Sequence, residues 1–362
     1  MTINEKLFQF IPEKYFVKSL KENRIGQIKL AFVRETINPL IIRSTDSEAT
    51  ITLIRIDGRE LVEIPPRKLK SREKLLGLMI CREFGVVDES VRYNLFDGAK
   101  HLNNPNSIVF GDTSTKSGDT AGLVSRAIYD WAYSLRDVKD ITDKLQHNAL
   151  SEAGTMIDET TGEMRQSLFS TEYVLPNTFF PHFITVDNIT PELFLHLLFC
   201  VLHQRRYGAQ TTTMANNLNN HLVAIGYSDF EKPINSFTVS KNWDETNGKK
   251  SNAATLSSVT EFVQERMADF YKKNLITSKT DKKIPDLIKW VEELWEDDEK
   301  TKDRKPELKQ IYSSAKESVD SYLKEIKMIT DKEPKAKRGK PTPKTDTKPE
   351  TGTENQDENP AD

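Results

Sequence analysis

The spacing of apolar residues alternates along this chain between a period of about two and a period of about 3.6 residues. Runs rich in β-branched and apolar residues predict strands. The predicted strands cover residues 27–42, 51–56, 61–64, 108–110, 172–174, 179–186, 221–227 and 230–242. Asp57 and Gly58 lie between two of these runs and predict a tight hairpin turn, because glycine tolerates the positive φ that such a turn requires.

Helical spacing predicts a helix after Pro65-Pro66, where Leu75, Leu76, Met79 and Ile80 share one face. Residues 193–202 are apolar on every side, which predicts a buried helix that begins after Thr190 and Pro191. A further helix is predicted from Asp119 or Thr120, with a core face made of Leu123, Val124, Ala127, Ile128, Trp131 and Leu135. Three more helical stripes begin near Val259, Leu287 and Leu308.

Strands interspersed with helices predict an α+β fold. The change in composition predicts a core domain over residues 1–256 and a helical C-terminal unit over 257–330. Residues 331–362 contain lysine, proline, threonine and acidic residues but no large apolar side chain, so we predict a disordered tail.

Composition excludes few classes of function. The 362 residues carry a net charge of -3, which argues against a wholly basic nucleic-acid binder but leaves room for a basic patch. Cys81 and Cys200 lie in apolar runs without metal-ligand spacing, which favours a reduced, cytoplasmic setting. No signal peptide is visible, and the longest apolar run is about half of a membrane span, so we expect a soluble protein.

Positive charge gathers where the helix after Pro66 begins, at Arg67, Lys68, Lys70, Arg72 and Lys74. Cations at a helix N-terminus oppose the helix dipole, and a bound polyanion would relieve that conflict. A solvated basic face explains the same pattern equally well.

A second basic segment follows the buried helix. Arg205, Arg206, Tyr207 and Gly208 lead into a polar loop whose donors suit contacts to phosphate and ribose. The loop donors are Gln210, Thr211, Thr212, Thr213, Asn216 and Asn217. Glycine permits close approach of a backbone. The alternative is a loop that caps the helix end, where arginine is also favourable.

Two further segments are candidates. Lys116, in the loop from Gly111 to Gly118, outlines an anion site, although a connecting loop fits better because no G-K-[ST] follows. A hairpin of about residues 148–172 has arms that carry Met156, Ile157, Met164 and Arg165. Such a hairpin is marginal alone and needs a neighbour.

No catalytic motif is present, and we predict no catalytic residue, metal or cofactor. Asp112 and Asp119 could serve metal-assisted phosphodiester cleavage only if further ligands joined them. His196 and His203 lie seven residues apart on one helix, about 10 Å, which is too far for one metal ion. A structural role is therefore favoured for His196.

Three segments in order resemble the repeat-associated (RAMP) superfamily of CRISPR backbone subunits, and most closely the backbone subunit of type I-D Cascade. They are PPRKLKSREKLLGLM with the later IVFGD, then MIDETTGEMRQSLFSTEYVLPNTFF, and then RRYGAQTT with NHLVAIGY. Members of that branch often carry a cysteine-rich zinc-binding insertion before the F-G. This chain has no cysteine between Tyr93 and Val109, so no zinc site is expected.

The resemblance implies an RRM-like (ferredoxin-like) core with insertions, of which the hairpin at 148–172 is a thumb. It also implies a non-catalytic subunit that assembles with copies of itself and other Cascade subunits along a guide RNA. Target DNA would be recognised through that guide. The alternatives are a metal-dependent ribonuclease of the same superfamily, with Asp112 or Asp119 as a ligand, and a scaffold that binds protein and no RNA.

Overall fold

The computed structural model describes residues 2–43, 51–116, 119–147, 169–210, 212, 215–247, 254–280 and 283–329. The strands, in chain order, are β1 (Gln27–Thr36), β2 (Leu53–Ile56), β3 (Arg59–Ile64), β4 (Asp112–Lys116), β5 (Asp119–Leu123), β6 (Ala127–Tyr129), β7 (Ala132–Asp137), β8 (Thr142–His147), β9 (Phe169–Val174), β10 (Phe179–Asp187), β11 (Leu218–Ser228) and β12 (Leu275–Ile276).

The helices are α1 (Ile3–Phe8), α2 (Pro66–Glu83), α3 (Pro105–Phe110), α4 (Val138–Ile141), α5 (Pro191–His203), α6 (Ser236–Asn247), α7 (Leu256–Tyr271), α8 (Ile284–Trp295) and α9 (Pro306–Glu325). The α+β class predicted from the sequence is confirmed. None of these helices is long and apolar enough to cross a bilayer.

The elements predicted from the strongest sequence patterns are correct. The hairpin at Asp57-Gly58 joins β2 to β3, with φ of 49° and 84° at the two turn residues. Helix α2 begins at Pro66, and α5 is buried throughout its apolar stretch. Helices α7, α8 and α9 lie where the three C-terminal stripes were predicted.

Three predicted elements are wrong. Residues 108–110 belong to helix α3 and not to a strand, because Asn104 caps a turn that begins at Pro105. Residues 230–242 do not form a strand, because α6 begins at Ser236.

The helix predicted from Asp119 or Thr120 is replaced by strands β5, β6 and β7. Val124 is 88% exposed and Trp131 is 41% exposed, so these two residues do not belong to a helical core face. Ala127 and Tyr129 are buried while Ile128 is half exposed, which is the period-two burial of a strand.

The centre of the molecule is a five-stranded antiparallel sheet in the order β12-β11-β1-β10-β6. Strand β1 is central and pairs over its length with both β10 and β11. Strand β6 forms one edge through three residue pairs with β10. Smaller antiparallel sheets join β2, β3 and β7, then β4 and β5, and then β8 and β9.

Helices cover both faces of the sheet. Alternate residues of β1, such as Leu30 and Phe32, pack with α2, α5 and α9 in the larger core. Their neighbours Ala31 and Val33 pack against α6 and α7 in a second core. The helices predicted as a separate C-terminal unit are therefore part of one compact unit that ends at Ile329. The predicted tail lies outside the described residues.

Candidate nucleic-acid interface

The two basic segments found in the sequence meet in space. Helix α2 begins without a capping side chain and has no acidic residue in its first turn. The loop that follows α5 passes over this end of α2, and the Arg72 guanidinium donates from Nη2 to the Gly208 carbonyl at 3.1 Å. A groove of about 360 Å³ lies along this contact. Its lining residues are Arg43, Lys68, Ser71, Arg72, Leu75, Tyr93, Gly208 and Ala209.

The groove is basic, and no acidic side chain is among its described lining residues. Partial burial, and then the charges of Arg67 and Arg72, hold the pKa of Lys68 below its usual value. The positive charges of Arg67 and Arg72 therefore repel that of Lys68. An anion in the groove would relieve this repulsion.

Only two of the five predicted cations on α2 line this groove. Lys68 and Arg72 are four residues apart on one side of the helix, while Lys70 and Lys74 are four apart on another. Lys70 donates from Nζ to Ser125 Oγ at 2.7 Å and to the Ala127 carbonyl at 3.0 Å. It thereby covers the edge strand β6. Burial, and then the charge of Lys74, lower the pKa of Lys70 to about 8.

Lys74 also turns inward. Its ammonium pairs with the Asp112 carboxylate and donates to the Gly111 carbonyl at 3.0 Å. Asp112 accepts a further hydrogen bond from Ser107 at 2.7 Å, and burial raises the pKa of its carboxyl group. The i, i+2 spacing of Lys68 and Lys70 could have shown that the two point to different sides, since two helical residues span about 200°.

The basic turn after α5 is also divided between two roles. Arg205 donates through its guanidinium to the carbonyls of Leu202 and Gln204, and so it caps the helix end, as the alternative interpretation proposed. Arg206 is exposed. Arg67, at the start of α2, is exposed as well.

Tyr207 has no exposed surface, so its side chain supports the loop from below. Asn217 fixes the loop, because its amide accepts from the Tyr207 N–H at 3.0 Å and donates to the Tyr207 carbonyl at 2.9 Å. Asn217 is itself fully buried and is not a surface donor.

Gly208 brings the loop against the protein's own backbone. Its φ is 74°, and a Cβ added there would lie 2.1 Å from the Ile41 carbonyl oxygen. The Ala209 N–H donates to that same oxygen at 3.0 Å. The glycine is therefore required for close approach, as the sequence indicated, but the approaching backbone is that of Ile41.

The remaining predicted site residues contribute less to the description of the groove. Gln210 is half-buried with φ of 52°, and Thr212 is exposed. Lys116 ends β4, which pairs with β5 in a hairpin, so the segment is neither a helix start nor an anion loop. Thr211 and the thumb residues Met156, Ile157, Met164 and Arg165 lie outside the described residues. Strands β8 and β9, which flank the undescribed residues 148–168, pair from Thr142–Val174 to His147–Phe169.

Sequence reasoning missed Arg43, Ser71 and Tyr93. Arg43 follows the isolated bridge of Leu40 with Val174, and Tyr93 donates its hydroxyl to the Ser71 carbonyl at 3.0 Å. Nothing in the local pattern marks them, because the groove forms only when four segments that are separate in the sequence pack together.

His196 has the structural role that was favoured. It is buried between the Tyr312 hydroxyl, 3.1 Å from Nδ1, and Asn106 Oδ1, 3.2 Å from Nε2. Burial lowers the pKa of His196 to about 3, so the ring stays neutral. Cys81 and Cys200 are buried free thiols.

Comparisons with known proteins bear on the family and the fold. A family model described as Csc2 Crispr matches residues 16–305, which is most of the chain. The crystal structure of Thermofilum pendens Csc2 is similar, with 16% identity and a TM-score of 0.56, over 86% of this chain and 95% of that chain. This likeness shows a shared fold.

Two further structures are more distant. A CRISPR RNA-guided surveillance complex has 12% identity and a TM-score of 0.45, and one in a pre-nicking state has 13% and 0.49. Both matches cover 74% of this chain and 99% of the other chain. No curated protein matches the sequence.

Proposed function

This chain belongs to the Csc2 CRISPR family, and from that premise we propose that it binds guide RNA as a backbone subunit of a type I-D-like CRISPR surveillance complex. The observation that carries the proposal is the groove between α2 and the Gly208 loop. Its charged lining residues, Arg43, Lys68 and Arg72, are all cations, and no acidic residue lies among its described lining. Such a surface suits a polyanion.

The groove offers contacts to a nucleic-acid backbone and few means of reading bases. Lys68, Arg72 and Arg43 present charge, and Arg67 and Arg206 lie exposed on the two segments that form it. Contacts of this kind position a strand without selecting a sequence. Sequence recognition is then left to base pairing between guide and target, as in other RNA-guided effectors.

The arrangement of the sheet supports an RRM-like core. The succession β1-α2-β6-β10-α5-β11 is the β-α-β-β-α-β order of ferredoxin-like folds. In RRM domains, aromatic residues on the open sheet face stack against bases. Here α6 and α7 occupy that face, with Phe262 and Trp243 buried over β1 and β10. RNA is therefore proposed to run along the helical side, at the groove.

The partners follow from the same proposal. The strand pair β8–β9 leads into the thumb hairpin, which we propose contacts a neighbouring copy of the chain. Other Cascade subunits and target DNA paired to the guide complete the set of partners. The cytoplasm is the proposed location.

A metal-dependent ribonuclease is the weaker alternative. The Asp112 carboxylate is already held by Lys74 and Ser107. In the part of the chain that the structure describes, no three histidine, cysteine or acidic side chains gather as a metal-binding group. We therefore propose that the chain is not an enzyme. Cleavage of target RNA at regular spacing with Mg²⁺, lost on Asp112→Ala, would contradict this.

The test of RNA binding is a salt titration of single-stranded guide RNA with the double variant Lys68→Ala/Arg72→Ala. We expect weaker binding and a slope of log K against log salt that is less steep by about 1.4, because each phosphate contact on a single strand contributes about 0.7. Filter binding between about 50 and 200 mM salt measures both quantities.

The matched control is Lys289→Ala/Lys300→Ala, which removes the same charge from exposed positions that do not line the groove. Its slope should equal that of the wild type. If wild type binds no RNA, or if both double variants lose the same amount, the groove is not the RNA site. The scaffold interpretation then gains support.

A further inference from the structure

Directly beneath the groove lies a buried polar cluster that the proposed contacts to RNA do not use. Arg34 on β1 and Glu73 on α2 form an ion pair at 2.7 Å, with both side chains 0% exposed. The Tyr207 hydroxyl donates to the same Glu73 oxygen at 2.8 Å. Tyr129 on β6 donates to the other oxygen of Glu73.

Asn220 on β11 joins this cluster to the end of α5. Its Oδ1 accepts from Arg34 at 2.7 Å, and its Nδ2 lies 2.9 Å from the Tyr207 hydroxyl oxygen. The same Nδ2 donates to the carbonyls of Val201 and Gln204, which are left open where the helix ends. The cluster therefore connects three strands, helices α2 and α5, and the basic turn.

This cluster is a poor source of stability. Removing two charged groups from water costs free energy that offsets most of the attraction between them. A protein in which well-packed apolar residues replace a buried ion pair is therefore often as stable as the original. Arg34 also has two buried nitrogen atoms, Nε and Nη2, with no hydrogen-bond partner among the described residues. The value of such a cluster lies in the geometry that it imposes.

The cluster joins the two elements that form the groove, α2 and the Gly208 loop. Glu73 is the chain neighbour of Arg72, and Tyr207 is the chain neighbour of Gly208. Helix and loop are thus joined twice, by Arg72 to the Gly208 carbonyl at the groove and by Tyr207 to Glu73 below it. Burial and the charge of Glu73 raise the pKa of Tyr207 well above its usual value, so the hydroxyl keeps its proton and the lower contact persists.

We infer that Arg34, Glu73 and Tyr207 are positioning residues, which fix the distance between the α2 cations and the Gly208 loop so that both contact one RNA backbone. The inference rests on the proposed function. It assigns these residues no contact with RNA, because all three are buried.

The test is Tyr207→Phe, which keeps the ring and removes only the hydroxyl. RNA affinity at fixed salt should fall about tenfold, and amide hydrogen exchange over residues 204–210 should become faster. The matched control is Tyr312→Phe, a fully buried tyrosine whose hydroxyl lies 3.1 Å from His196 Nδ1, remote from the groove. It should lower the thermal midpoint without changing affinity.

A double-mutant cycle separates positioning from general destabilisation. If Tyr207 places Arg72, then Arg72→Ala should cost less affinity in the Tyr207→Phe background than in wild type, because coupled residues are not additive. Additive losses, or affinity of Tyr207→Phe equal to wild type, would overturn the inference. Failure of wild type to bind RNA would instead overturn the proposed function.

Discussion

At the scale of single residues, Gly208 combines two constraints that rarely coincide. Its φ of 74° lies in the left-handed region, and its missing Cβ leaves room for the Ile41 carbonyl. The first constraint strains any other residue, and the second forces the loop to move away from Ile41. Because the loop forms one wall of the groove, both constraints affect the proposed RNA site.

Gly208→Ala should lower the free energy of unfolding by about 3 kcal/mol, from backbone strain and overpacking together. The control is Gly58→Ala, where φ is 84° but no atom lies within 4 Å of the added Cβ. That change should cost about 1 kcal/mol, from strain alone. Urea unfolding measures both values, and equal losses would show that the contact with Ile41 contributes nothing.

Because the pKa of His196 is lowered in the folded protein, the free energy of unfolding depends on pH in a known direction. In the unfolded chain its imidazole gains a proton below its usual pKa of about 6.5, whereas in the folded protein it stays neutral down to about 3. The unfolded state therefore binds more protons in this interval, and the free energy of unfolding falls as the pH falls.

Replacing the imidazole should remove part of this dependence. Between pH 6.0 and pH 5.0, roughly 0.5 to 1.5 units below the usual histidine pKa, His196→Gln should reduce the slope of stability against pH by up to about 1.4 kcal/mol per unit. Tyr312→Phe removes the hydroxyl beside Nδ1 but keeps the titrating ring, so its slope should match wild type. An unchanged slope in His196→Gln would show that the ring is protonated in the fold.

At the scale of elements, the central sheet depends on helices that follow it late in the chain. Helix α7 packs Val259, Phe262 and Met267 against the face that carries Ala31 and Val33. The composition change near residue 256 predicted a separate helical unit, but a sheet face of this kind needs a cover to keep its apolar residues from water.

A chain that ends at residue 256 should therefore lack a cooperative thermal transition and should aggregate, because it exposes the second core. A chain that ends at residue 329 keeps the whole compact unit and should melt at the wild-type temperature. Differential scanning calorimetry distinguishes the two. A cooperative, monomeric 1–256 chain would restore the two-unit interpretation.

Local pattern identified elements where it was strong or punctuated, and failed over residues 119–137. Pro66 and Thr190 mark the starts of α2 and α5, and Asp57-Gly58 marks a hairpin. Residues 119–137 have apolar spacing that fits a helix, but pairing of β6 with β10 and β7 with β3 decides for strands. Long-range pairing of this kind is not encoded in a window of local sequence.

At the scale of the whole molecule, the position of the charges matters more than the net charge. The net charge of -3 conceals a groove whose charged lining residues are all cations. The contact that closes the groove joins residues 136 positions apart, and the ion pair beneath it is held by a tyrosine 173 positions from Arg34. Electrostatic attraction of RNA depends on such patches more than on totals.

The sequence by itself determined the α+β class, the buried helix α5 and the two basic segments, because each rests on residues close together in the chain. The tertiary structure alone decided which cations face the groove. Lys68 and Arg72 line it, whereas Lys70 and Lys74 turn to β6 and Asp112. It also showed that Tyr207 lies in a buried cluster with Arg34 and Glu73. The physical reason is that a side chain's partner depends on what packs against its element, and those neighbours come from distant parts of the chain.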